Sequence, residues 1–115
     1  MSLLANVLIG LVALLHVYFL VLEMFLWTRP LGLKTFRNTP EKAEITRVLA
    51  ANQGLYNGFL AAGLFYAIAT GSREFALFFL ACVIAAALYG AYSVNKRIFV
   101  VQGVPALAAL AAVLL

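Results

Sequence analysis

Charged residues are scarce in this sequence, and aspartate is absent. Of the 115 residues, 10% are charged and 66% are hydrophobic, whereas a soluble domain carries about 25% charged residues. Because so few charged residues cannot cover the surface of a globular protein in water, we expect an integral membrane protein. Without aspartate, the chain can form neither the Asp-rich metal motifs of prenyl-transfer enzymes nor a Ser-His-Asp triad.

Cysteine and histidine are equally rare, with one of each. The single Cys82 excludes an intrachain disulfide and a Cys-x-x-Cys redox motif. The single His16 excludes a multi-histidine iron, copper or haem site within one chain. We therefore expect no metal and no cofactor. The net charge of +4 does not indicate nucleic-acid binding, because the basic residues lie between apolar segments, where they contact anionic membrane lipid.

Four apolar segments make up most of the chain. Their lengths are near the ~20 residues that cross ~30 Å of hydrocarbon, and lipid gives free backbone groups no partners outside a helix. The sequence therefore predicts an all-α, polytopic membrane protein, an antiparallel bundle of four transmembrane helices in a single domain over residues 1–115. The expected helices cover residues 3–27, 40–70, 75–94 and 98–115.

Loop charge predicts the topology. The first loop carries five basic residues and the third carries two, whereas the second carries only Arg73. This bias places the first and third loops in the cytoplasm and both termini on the periplasmic or extracellular side of a bacterial inner membrane. The first apolar run lacks the basic residues that open a signal peptide, so we expect a membrane helix there.

Two features of the first loop predict local structure. Thr39 and Pro40 follow Asn38, and Glu41 comes next; a capping side chain, proline and an acid are typical of a helix start. The preceding TRPLGLKTF contains Pro30 and a glycine, and predicts a turn at the membrane interface.

Polar residues cluster in the cytoplasmic half of the four predicted helices. At 1.5 Å per residue, polar side chains from all four helices fall at nearly one depth. Glu23 is the most informative, because a carboxylate in a membrane is costly and normally faces the bundle interior or water. We expect Gln53 and Gln102 within direct or one-water reach of Glu23. The predicted ligand-binding set is Glu23, His16, Trp27, Asn52, Gln53, Tyr56, Asn57, Tyr89 and Gln102.

Each amide has a second interpretation. Amides also hydrogen-bond between membrane helices without binding any ligand. The pair Gly54 and Gly58 permits close helix approach; we expect it to serve internal packing, with a homodimer as the alternative. Pro105 is expected to kink the last helix and free a carbonyl near Gln102.

These motifs resemble a bacterial family of small integral membrane proteins, the domain-of-unknown-function family 1304. The resemblance depends on His16 followed by Glu23 and Trp27, on NQGLYNGFLAAGL in the second segment and on QGVPALAAL in the fourth. It covers essentially the whole chain and implies a four-helix inner-membrane protein. It brings no established activity, so no catalytic role is transferred.

Three function classes fit the residues. The preferred one is binding or transport of a small amphipathic or lipid-like molecule at a polar pocket; small multidrug exporters are similar in size and in having an acid in the first helix. The second is an acid–base, isomerase-like enzyme with Glu23 and His16 as catalytic candidates, since the sterol-isomerase-like fold is similar in residue types. The third is a structural membrane subunit without a ligand.

Overall fold

The computed structural model describes all 115 residues as helices joined by short turns, without a β-strand. The all-α prediction is therefore confirmed. The first helix ends earlier than the predicted residue 27. In chain order the helices are α1 (Leu3–Met24), α2 (Pro30–Phe36), α3 (Pro40–Thr70), α4 (Arg73–Ser93) and α5 (Val104–Leu114), and a π-turn segment (Phe99–Gly103) leads into α5.

The segment predicted to be a turn contains the short helix α2, so that prediction is wrong. Pro30 occupies the first helical position, where its fixed φ suits the helix and its missing N–H leaves nothing unpaired. The helix stops at Arg37, which adopts the left-handed conformation with φ 55° and ψ 40°. The Asn38 N–H donates back to the Leu33 carbonyl at 3.0 Å. Proline here begins a helix rather than a turn.

The start and length of α3 agree with the sequence prediction. The Thr39 hydroxyl accepts from the Lys42 N–H at 3.2 Å, which is the bond of an N-cap. The helix then runs for 31 residues to Thr70. Gly71 ends it with a φ of 66°, and the Ser72 hydroxyl caps α4 by accepting from the Phe75 N–H at 3.2 Å.

The predicted kink before Pro105 takes the form of a π-turn. The Val104 N–H donates to the Phe99 carbonyl five residues earlier. Proline has no N–H to continue the normal four-residue ladder, and a wide turn is one way in which a helix absorbs that interruption. The last apolar segment is therefore helical over Phe99–Leu114, with a wide turn at Phe99–Gly103.

The chain packs as two compact units, the first comprising Met1–Leu14 and Leu60–Leu115 and the second comprising Leu15–Phe59. The core of the first unit draws on α1, α3, α4 and α5, and more than half of its residues are alanine. Small side chains allow helices to approach closely. On the same unit, the Arg73 Nε donates to the Val113 carbonyl at 3.4 Å. One domain over residues 1–115 stays a prediction.

Two helices, α1 and α4, are long and apolar enough to cross a membrane by length and composition. In α3 the carboxamides of residues 52, 53 and 57 interrupt the apolar run. The last apolar helical stretch, Phe99–Leu114, is shorter. The arrangement with four membrane spans stays a prediction.

Candidate functional site

The second unit carries most of the predicted site residues. They lie on the last part of α1, in the turn that follows it and on the first part of α3, and the two helical segments approach each other closely within this unit. From the predicted set, this unit contains His16, Glu23, Trp27, Asn52, Gln53, Tyr56 and Asn57.

The close approach depends on two glycines of α3. A Cβ added at Gly54 would lie 2.6 Å from the Met24 Cγ and 3.2 Å from the Leu20 carbonyl oxygen. A Cβ added at Gly58 would lie 2.7 Å from the Leu20 Cδ1. A side chain at Gly54 would therefore crowd the backbone of α1, and one at Gly58 would displace the end of the Leu20 side chain. The prediction that the glycine pair serves internal packing is confirmed.

Glu23 and Asn57 form the central polar pair of this unit. The Asn57 Nδ2 donates to the Glu23 Oε1 at 2.5 Å. Asn57 is buried with 7% of its surface exposed, whereas Glu23 is half-buried. A carboxylate has two oxygens and about four acceptor positions, and no protein donor reaches the Glu23 Oε2. The Glu23 Oε2 can therefore still accept hydrogen bonds from a molecule outside the protein, because Glu23 is only half-buried.

The direct hydrogen-bond partner of Glu23 is Asn57, and Gln53 is exposed. Depth along the helices, taken alone, favours Gln53 as the partner of Glu23. Helix rotation favours Asn57. Asn57 is rotated about 60° from Gly54 and Gln53 about 100° in the same direction, so Asn57 lies nearer to the face that contacts α1, and Gln53 lies at the exposed edge of that face. A direct bond from Gln53 to Glu23 is therefore absent.

His16 lies two helical turns before Glu23 on α1 and is fully buried. Its ring meets Phe19 edge to face, with the centroids 5.3 Å apart. Two turns of helix separate the Cα atoms of His16 and Glu23 by ~10 Å along the axis. The geometry therefore offers no direct path for proton transfer between these two side chains.

Trp27 joins three parts of the second unit. Its indole Nε1 donates to the Thr46 hydroxyl at 3.1 Å, and its ring lies against Phe36 with centroids 4.8 Å apart. This contact fixes the turn after α1 against both α2 and α3. Thr46 did not appear among the predicted site residues, because an isolated threonine within a charged stretch gives no sequence signal for a partner 19 positions away.

Asn52 and Tyr56 point away from the Glu23–Asn57 pair. Both are exposed, Tyr56 with 60% of its surface. They lie on the side of α3 opposite to Gly54, because residues 52 and 54 are separated by about 200° of helix rotation. The structure therefore divides the polar cluster of α3 into an inward part and an outward part.

Tyr89 and Gln102 belong to the first unit. Tyr89 is exposed near the end of α4, and Gln102 is half-buried within the π-turn segment. The expected approach of Gln102 to Glu23, and the membership of both residues in one site, stay predictions.

Comparison with known proteins covers almost the whole chain. The model of a family described as "Protein of unknown function (DUF1304)" matches residues 10–114. The uncharacterized protein YpaA of Lactococcus lactis subsp. lactis (strain IL1403) is 37% identical over 114 residues, which cover 96% of each chain. No solved structure matches the chain. The family match includes both residues of the Glu23–Asn57 pair, and the chain belongs to the DUF1304 family.

Proposed function

We propose that the protein is a bacterial inner-membrane protein with four membrane spans, formed by α1, α3, α4 and the stretch Phe99–Leu114. Its apolar surface supports this placement: Leu3 and Phe25 expose 79% and 67% of their surfaces, and large apolar side chains are exposed on every helix. Monomeric soluble proteins rarely carry such extensive apolar surface. At 1.5 Å per residue α3 is ~46 Å long, enough to cross ~30 Å of hydrocarbon and extend beyond it.

Basic side chains support an orientation with the first and third loops in the cytoplasm. Arg29, Lys34 and Arg37 are exposed around α2, where they reach anionic lipid headgroups. Leu31, which is 48% exposed, supplies an apolar side chain to the same surface. In this orientation α2 lies at the cytoplasmic interface, and both termini lie outside.

Within this membrane protein, we propose that the Glu23–Asn57 pair binds a small amphipathic molecule through a cationic or hydrogen-bond-donating group. The observation that carries the proposal is the open Oε2 of a half-buried carboxylate whose other oxygen accepts from a buried amide. A carboxylate among membrane helices costs free energy unless it is paired, and such residues commonly belong to functional sites. Asn57 fixes the orientation of the carboxylate, and the apolar side chains around it suit a hydrocarbon tail.

The test compares three probes with one tail and different head groups. Decylamine, decanol and decanoate are added separately to the purified protein in detergent, and the Tm is measured for wild type, Glu23→Gln and the control Glu74→Gln. Glu74 is an exposed carboxylate in the first turn of α4. We expect decylamine to raise the Tm of wild type and of Glu74→Gln but not of Glu23→Gln. Decanol, whose hydroxyl donates a single uncharged hydrogen bond, should separate the proteins in the same sense but less than decylamine does, and decanoate, which only accepts, should not separate them.

The substitution at Glu23 should preserve the fold, because glutamine has nearly the same shape and removes a costly charge. If decylamine shifts wild type and Glu23→Gln equally, the proposed ligand site is wrong. A structural membrane subunit then becomes the better account of the Glu23–Asn57 pair.

A further inference from the structure

The outward side of α3 carries a regular exposed stripe in the second unit. Its members recur at spacings of three and four residues, which places them on one helix face. Ile45 and Leu49 expose 82% and 72% of their surfaces. This α3 stripe consists of Ile45, Val48, Leu49, Asn52, Tyr56 and Phe59.

Asn52 lies in the middle of the α3 stripe and makes no hydrogen bond within the protein. Its carboxamide has two donor hydrogens and two acceptor lone pairs. An amide that faces hydrocarbon without partners costs free energy. Lipid tails could cover the apolar members of the stripe, but they offer Asn52 neither a donor nor an acceptor. A protein partner that brings a carboxamide to this position supplies both.

We infer that a second copy of this chain docks on the α3 stripe, with the Asn52 side chains of the two copies hydrogen-bonded to each other. A two-fold axis brings identical surfaces together. Because a carboxamide both donates and accepts, two Asn52 side chains related by that axis satisfy one another. Amides between membrane helices stabilise association in this way, and the flanking apolar side chains of the stripe pack around the pair.

The docking face is distinct from the ligand pair and from the glycines. Gly54 and Gly58 are occupied by α1, so a dimer built on the glycine pair is excluded. Asn57 also points towards α1. The inference rests on the proposed membrane placement of α3, but it does not require the proposed ligand at Glu23.

The equilibrium test uses energy transfer between copies in vesicles of phosphatidylethanolamine and phosphatidylglycerol. Donor and acceptor dyes are attached through Leu115→Cys in a Cys82→Ala background, and the dimer fraction is followed as lipid is added. We expect Asn52→Leu to weaken association about threefold to thirtyfold, which corresponds to the measured range for amide bonds between membrane helices. Asn52→Gln keeps a self-complementary amide and should retain most of the association.

Gln53→Leu is the matched control, because it removes an exposed amide next to Asn52 but off the centre of the stripe. It should leave association unchanged, as should Glu23→Gln. Equal affinity for wild type and Asn52→Leu would overturn the inference, and so would equal losses for Asn52→Leu and Gln53→Leu. A wild type that stays monomeric at high protein-to-lipid ratio would also overturn it.

Cross-linking tests the face independently. In the Cys82→Ala background, Tyr56→Cys should form a disulfide between copies on oxidation, whereas Leu88→Cys, which is exposed on α4, should not. Equal disulfide yields for Tyr56→Cys and Leu88→Cys would mean that the α3 stripe is not the interface between copies. Alkaline carbonate extraction of the same membranes separates the two proposals: release of the protein would contradict the membrane placement itself, and retention leaves the cross-linking result to decide the interface.

Discussion

At the residue scale, the Glu23–Asn57 pair is positioned by a residue without a side chain. Gly54 brings the backbone of α3 against α1, and Asn57 follows one helical turn later on the same side. The amide then reaches the carboxylate across the narrow gap between the helices. The Asn57–Glu23 hydrogen bond and the close contact of Gly54 with α1 therefore depend on each other.

Removing the amide should reveal the strength of the pair. Asn57→Ala leaves the half-buried Glu23 without its donor, so we expect a loss of about 1–3 kcal/mol in the free energy of unfolding. Gln53→Ala is the control and should change it by less than about 0.5 kcal/mol, since exposed substitutions without specific contacts have small effects. Chemical unfolding in detergent measures both. A larger loss at residue 53 than at residue 57 would show that the pairing is wrong.

A pair of glycine substitutions tests the helix contact. Gly54→Ala places a Cβ 3.2 Å from the Leu20 carbonyl oxygen and 2.6 Å from the Met24 Cγ, and overpacking of this kind costs about 1–3 kcal/mol. Gly10→Ala should be neutral or stabilising by about 0.5–1 kcal/mol. Its nearest neighbour would be the Ile68 Cδ1 at 3.8 Å, an ordinary contact. Unfolding measurements that rank the two alanines in the opposite order would contradict the close approach of α1 and α3.

The importance of Glu23 and of the glycine pair could be predicted from the sequence, but the hydrogen bond between Glu23 and Asn57 could not. Hydropathy and the cost of buried charge identify Glu23 as important, and glycine spacing identifies the close contact. Which amide pairs with Glu23, Gln53 or Asn57, depends on the rotation of α3 about its axis relative to α1. The depth of a residue along its helix gives no information about that rotation. The Trp27–Thr46 hydrogen bond is not predictable from the sequence for a related reason: it joins separate elements that share no sequence motif.

At the scale of elements, helix ends were more predictable where capping chemistry is local. The start of α3 agrees with its sequence signature because Thr39 and Pro40 act on the adjacent turn. The turn predicted around Pro30 fails because proline suits both a turn and a first helical position, and tertiary contacts choose between them. The wide turn before Pro105 was predicted as a kink, but its hydrogen-bond pattern depends on the surrounding packing.

The end of α2 offers a stability test. Arg37 has a φ of 55°, a conformation that costs a residue with a Cβ about 1–2 kcal/mol and glycine far less. We expect Arg37→Gly to raise the free energy of unfolding by about 0.5–1 kcal/mol after the loss of chain entropy. Lys34→Gly removes the same charge from within α2 and should lower it by about 0.5–1 kcal/mol. Destabilisation by both, measured by chemical unfolding in detergent, would contradict the strained cap.

At the scale of the whole molecule, apolar surface and loop charge together support a membrane location. The composition of the chain predicts this class, and the helical structure agrees with it. The number of spans is harder to infer for two reasons. The carboxamides of α3 lower the hydropathy of that helix, and the last apolar helical stretch, Phe99–Leu114, is shorter than α1 and α4.

Labelling of single cysteines from outside the cell tests the four-span arrangement most directly. Lys34→Cys, Glu74→Cys and Lys96→Cys are made in a Cys82→Ala background and exposed to a membrane-impermeant maleimide; position 74 is chosen because Ser72 caps α4. With four spans and both termini outside, only position 74 should react, while positions 34 and 96 should react after the membrane is permeabilised. A chain crossing only through α1 and α4 would instead protect position 74 and expose position 96, and that result would contradict the account.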